Sequence, residues 1–93
     1  MNVTMKELTA FGFKTIDASR IMNEICRLAP YQIISRFEEV SIKGHKTTQY
    51  QSLRSVSAEE VIKVCQYKIA HPRARTPIEK WQQIRQAMEE LLS

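Results

Sequence analysis

Apolar and polar residues alternate with a period of two in one part of the chain, Val40–Leu53, and with a helical period nearly everywhere else. Val40 and Ile42 are interleaved with Ser41 and Lys43, and Thr48 and Tyr50 with Gln49 and Gln51, the pattern of two half-buried strands. Gly44 sits between the two runs and tolerates the positive φ of a tight turn. The alternation predicts a hairpin with Val40 opposite Tyr50 and Ile42 opposite Thr48. That register needs a three-residue loop, Gly44–Lys46, and turns the apolar pairs toward the helices.

Around the hairpin the spacing predicts five helices. Thr4-x-x-Glu7 is a capping box opening a short helix with an apolar stripe of Met5, Leu8 and Phe11, stopped by Gly12. A second helix runs from an N-cap at Asp17 to Ala29, its inner face made of Ile21, Ile25 and Leu28 and widened by Met22 and Cys26. Pro30 ends it, because a proline disfavours helical geometry in the residue before it, and is itself tolerated at the start of a helix. Tyr31–Phe37 is expected to be that third, short helix, with Ile33, Ile34 and Phe37 inward. Ser57-x-x-Glu60 caps a fourth helix reaching Ile69 or Ala70, with Val61, Ile62, Cys65 and Ile69 as its stripe. Thr76-Pro77-Ile78-Glu79 opens a fifth, in which Trp81, Ile84, Met88 and Leu91 recur at spacings of 3, 4 and 3. The expected architecture is a single, mostly helical α+β domain over 1–93, in the order α-α-α-β-β-α-α.

The 93-residue length suits one core, and a composition of 43% hydrophobic and 26% charged residues is that of an ordinary globular chain. No apolar run approaches the ~20 residues that cross a bilayer, and the N-terminus lacks a signal-peptide pattern, so a cytoplasmic protein is expected. Cys26 and Cys65 each lie in an apolar helical stripe and read as small buried hydrophobes. With His45 and His71 they form no metal-ligand spacing, and two glycines cannot build a phosphate loop, so neither metal nor cofactor is expected. No nucleophile–base pair or facing carboxylates appear, which argues against an enzyme.

The net charge of +4 is unevenly placed. Val40–Ile78 holds Lys43, Lys46, Arg54, Lys63, Lys68, Arg73 and Arg75 against only Glu59 and Glu60, while the flanking segments are near balance. Such a cluster suits a polyanion. Helix, sharp break, short helix and basic hairpin is also the element order of winged-helix DNA-binding domains, an analogy of architecture. On that reading the Pro30–Arg36 helix enters the major groove of duplex DNA with Gln32 and Arg36, while Lys43, His45 and Lys46 reach phosphates. Arg54, Arg73 and Arg75 extend the phosphate-contacting surface. The competing expectation is a small protein-binding regulator of the inhibitor or antirepressor type, using exposed Tyr67 and the terminal stripe Trp81, Ile84, Met88 and Leu91. The same C-terminal helix is the expected seam of a homodimer.

Overall fold

A three-stranded antiparallel sheet with the order β1-β3-β2 organises the chain. The computed structural model describes residues 1–72 and 76–93. Its elements are β1 (Asn2–Val3), α1 (Met5–Ala10), α2 (Thr15–Leu28), β2 (Gln32–Ile42), β3 (His45–Ser57), α3 (Ala58–Ala70) and α4 (Ile78–Leu92). The domain is therefore α+β, with four helices among the described residues.

The segment expected to be the third helix is instead the first half of β2. Its apolar residues at 31, 33, 34 and 37 fit a helical period, but strand pairing overrides that spacing. Pro30 has already broken the helix, and Ile33, Ile34 and Phe37 are residues that fill a pleated surface well. Ile34 lies across from Leu53, and Phe37 across from Tyr50. Phe37 and Tyr50 meet edge to face with ring centroids 5.3 Å apart, a favoured aromatic geometry. The Ser35 and Tyr50 hydroxyls are also hydrogen-bonded across the strands.

The hairpin forms with a different register from the expected one. Val40 faces Thr47 and Ile42 faces His45, which leaves a two-residue turn of Lys43 and Gly44. Both take positive φ, 51° and 80°, as a primed hairpin turn demands. A three-residue loop would have matched Val40 to Tyr50. The turn that follows the right-handed strand twist wins, and Val40 and Tyr50 end on opposite faces of the ribbon.

The core sits at the inner end of the hairpin. Val3, Val56 and Ala58 are buried there with Leu8 of α1 and Ala18, Ile21, Met22 and Ile25 of α2. α3 adds Val61, Val64 and Cys65, and α4 adds Trp81, Ile84 and Met88. α1 begins as expected: Glu7 accepts the Thr4 backbone N–H at 2.8 Å and the Thr4 hydroxyl, while that hydroxyl's oxygen accepts from the Lys6 backbone N–H. Gly12 follows at φ 102°, and Phe13 donates back to the Leu8 carbonyl at 3.4 Å, closing the helix end. Ser57 caps α3 as expected, accepting from the Glu60 N–H at 3.3 Å. α2 starts two residues before Asp17, with no side-chain cap. Thr76 does not cap α4 either; its hydroxyl donates to Glu24 at 3.0 Å and ties the start of α4 to α2. Leu28, expected inward, is exposed.

Two expectations test this packing. Trp81 is 0% exposed, so Trp81→Ala should cost roughly 3–5 kcal/mol in a denaturant titration; an unchanged midpoint would contradict the core as described. The second concerns Glu7. Burial works to raise its pKa, but the hydrogen bonds from Thr4 and the charge of Arg36 outweigh it and hold the carboxyl below its ordinary 4.5. A depressed pKa contributes stability above the ordinary value and loses it as pH falls through the folded value. Glu7→Gln, which keeps a capping-box acceptor but loses the charge, should therefore destabilise at neutral pH, and thermal melts of the two proteins should converge on acidification.

Candidate nucleic-acid interface

α2 is sorted by charge around its circumference. Ala18, Ile21, Met22 and Ile25 face the core. On the opposite side Ile16, Arg20, Asn23 and Arg27 recur at i, i+4, i+7 and i+11, one continuous stripe, and all four are exposed, Ile16 by 74%. The two acids of the helix are turned aside and neutralised. Asp17 meets Lys80 of α4 at 3.0 Å, and Glu24 meets Lys68 of α3 at 3.5 Å. The hydrogen bond from Lys80 keeps Asp17 below its ordinary carboxylate value. Arg20 and Arg27 have no carboxylate within ion-pair distance among the described residues. The wet face of α2 is thereby cationic although its sequence carries both signs.

The turn before α2 aims this stripe. α1 and α2 are joined by Phe11–Lys14, with Gly12 providing the left-handed corner. Leu8 before the corner and Ala18 and Ile21 after it are buried together, so the two helices pack tightly while the outer side of α2 stays open.

Arg54 extends the surface from the sheet. Its Nη2 donates to Asn23 Oδ1 at 2.6 Å, joining β3 to the exposed stripe. At the far end of the hairpin, residues 41–50 are all exposed. Lys43 and His45 stand at the tip, and Lys46 lies 4.0 Å from Glu39, an exposed and weak pair.

The sequence-predicted residues therefore separate into groups. Lys43, His45 and Lys46 share the hairpin tip, while Arg54 lies at its base beside α2. Gln32 and Arg36 are carried by β2 and not by a recognition helix, because residues 32–36 are strand; Arg36 sits 3.7 Å from Glu7. Arg73 and Arg75 fall outside the described residues. Of the partner-binding set, Trp81, Ile84 and Met88 are core residues, closed to any partner by their own chain. Leu91 is exposed, and Tyr67 is exposed and stacked on His71 with centroids 4.5 Å apart. Tyr67 and His71 border a shallow groove completed by Glu24, Arg27, Leu28 and Lys68.

Arg20, Asn23 and Arg27 were missed by reading the basic middle of the chain alone. The signal was Gly12, a turn glycine between two capped or amphipathic segments, with Leu8, Ala18 and Ile21 spaced to pack around it. Among the described residues no three His, Cys, Asp or Glu side chains gather as a metal site, and no helix is long and apolar enough to cross a membrane. Compared with known proteins, the chain matches no family model, no curated protein and no solved structure.

The two cysteines differ in burial. Cys65 is buried, which pushes its thiol up to about 12. Burial also raises Cys26, partly offset by the nearby Arg54 charge, but this residue is only half-buried. Because the thiolate is the reactive form, an aromatic disulfide reagent at neutral pH should label Cys26 slowly and Cys65 only in denaturant. Equal labelling of both in the native protein would contradict this packing.

Proposed function

We propose that this chain is a small duplex-DNA-binding regulatory protein of winged-helix type, in which α2 enters the major groove and the β2–β3 hairpin is the wing. The observation that carries the reading is the sorting of α2: both acids tied sideways to lysines of α3 and α4, both arginines left outward. An α-helix fits the major groove, and arginine pairs bidentately with guanine there or contacts flanking phosphates. The order strand, helix, turn, helix, hairpin, with β1 beside β3, agrees with a winged-helix layout, an architectural analogy. The recognition position thus moves from the Pro30–Arg36 segment to α2. Lys43, His45 and Lys46 at the wing tip approach backbone phosphates, which position the protein without specifying sequence. The protein acts by binding, without catalysis, and works in the cytoplasm.

A second reading, a protein-binding regulator, draws on the groove beside Tyr67 and His71, where Leu28 adds an exposed apolar side chain.

Anisotropy titrations of labelled duplex DNA over a salt series separate the two. Wild-type protein should bind with affinity falling steeply as salt rises. If Arg20 and Arg27 each neutralise one phosphate, Arg20→Ala/Arg27→Ala should flatten the slope of log K against log salt by roughly 1.8, about 0.9 per contact. Tyr67→Ala should leave DNA binding unchanged. Absence of wild-type affinity for duplex DNA at low salt would overturn the DNA reading and favour a protein partner.

A further inference from the structure

β2 is an edge strand along its whole length of 11 residues. The two-residue turn closes on Ile42 and His45. By the alternation of antiparallel pairing, even-numbered residues of β2 bond β3 and odd-numbered ones turn their N–H and C=O groups outward. Among the described residues no hydrogen bond reaches those outward groups. The ribbon face on which the odd residues lie is also uncovered: Phe37 is 71% exposed, Ile33 67% and the cross-strand Tyr50 60%. Natural edges of this length are usually shortened, bulged or covered, because an open one pairs with another chain.

We propose that the occupant of this edge is β2 of a second copy, paired antiparallel about a two-fold axis through Phe37. The axis is chosen by charge. An isologous antiparallel pair keeps residues of one face opposite each other, so the axis must pass through a residue. Centred on Phe37, Arg36 falls opposite Glu38 of the second copy, Ile34 opposite Val40, and Gln32 opposite Ile42. All residues of Gln32–Ile42 are used. Moving the axis one residue either way sets Arg36 against Arg36 or Glu38 against Glu38, and like charges directly opposite are unfavourable.

Two further features agree with that centre. Within one chain Glu38 already meets Lys6, and Arg36 lies 3.7 Å from Glu7. Pairing adds the opposite charge to each, an alternating row Lys6–Glu38–Arg36–Glu7 that crosses the two-fold axis twice by symmetry. On the open face, Phe37 already packs edge to face on Tyr50. The second copy extends this to four aromatic rings in a line, Tyr50–Phe37–Phe37–Tyr50, across four strands. Five outward residues on each strand exchange about ten backbone hydrogen bonds, as many as a typical stable interface carries.

Sedimentation equilibrium on the full chain over a wide concentration series tests the assignment. Wild-type protein should show a reversible dimer. Arg36→Glu sets carboxylate against carboxylate at both symmetry-related pairs, and Glu38→Arg sets guanidinium against guanidinium there. Each variant alone should therefore dissociate, with Kd raised roughly tenfold or more. Mixed one to one, the two variants recreate opposite charges at both pairs and should dimerise again. That recovery separates the interface from the Glu7 and Lys6 contacts, which mixing cannot repair. Phe37→Asp, which alters no ion pair within the chain, should also be monomeric while keeping the wild-type circular dichroism spectrum. The proposal is overturned by a wild-type monomer at every concentration, by a dimer that all three variants retain, or by a mixture that stays monomeric.

Discussion

The fold depends on the inner end of β3, where one short stretch joins the sheet, a helix and the core. Val56 pairs with Val3 and is buried, Ser57 pairs with Asn2 and caps α3, and Ala58 donates its N–H to the Met1 carbonyl at 2.8 Å. Every backbone group in a buried stretch needs a partner. Here the β2 ladder ends at Ser55, and β1, only two residues long, takes over as the partner of Val56 and Ser57. The consequence is directional. Because β1 ends after Val3, the outer part of β3 pairs, among the described residues, with β2 alone, and the ribbon leaves the body of the protein as a two-stranded arm. The Cα extents of 49 × 25 × 22 Å reflect that arm.

Ion pairs around α2 have a sorting role that exceeds their worth as bonds. Glu24 receives Lys68 at 3.5 Å and the Thr76 hydroxyl at 3.0 Å, so a single carboxylate links α2 to α3 and to the start of α4. Lys68 and Glu24 are mostly buried and Lys68 also lies over the Trp81 ring, 5.8 Å from its centroid, where solvent screens less. Asp17 with Lys80 is more exposed and contributes little to stability. Both pairs nevertheless cancel the negative charge of α2 along its flank, beside the outward stripe. A helix of nearly balanced sequence thus presents a field of one sign.

The hairpin poses the opposite problem. Its inner residues Ile34, Val40 and Leu53 are half-buried, helped by Lys6 and Glu7 of α1 reaching to Glu38 and Arg36. Its other face holds Ile33, Phe37 and Tyr50 in water. A two-stranded ribbon has little independent stability, so an uncovered apolar face and an open edge on the same strand are best understood together. A tight primed turn, cross-strand aromatics and α1 side chains hold the ribbon in shape, while what completes its edge is left to another chain.

Four helices, three of them close to their observed bounds, were legible in the sequence because caps and 3.6-residue stripes are local: Thr4 with Glu7, Ser57 before α3, and the run Trp81–Ile84–Met88. The existence of the hairpin was legible from alternation and Gly44. Its register was not, since turn geometry and strand twist decided it against the apolar match of Val40 with Tyr50. Nor was the state of residues 32–37, whose spacing satisfies a helix and a strand alike; partners on β3, distant in sequence, resolved the ambiguity. The basic tip, Lys43, His45 and Lys46, could be located from sequence alone. The cationic face of α2 could not, because Asp17 and Glu24 are cancelled by Lys80 and Lys68, residues more than forty positions away that only tertiary packing brings beside them.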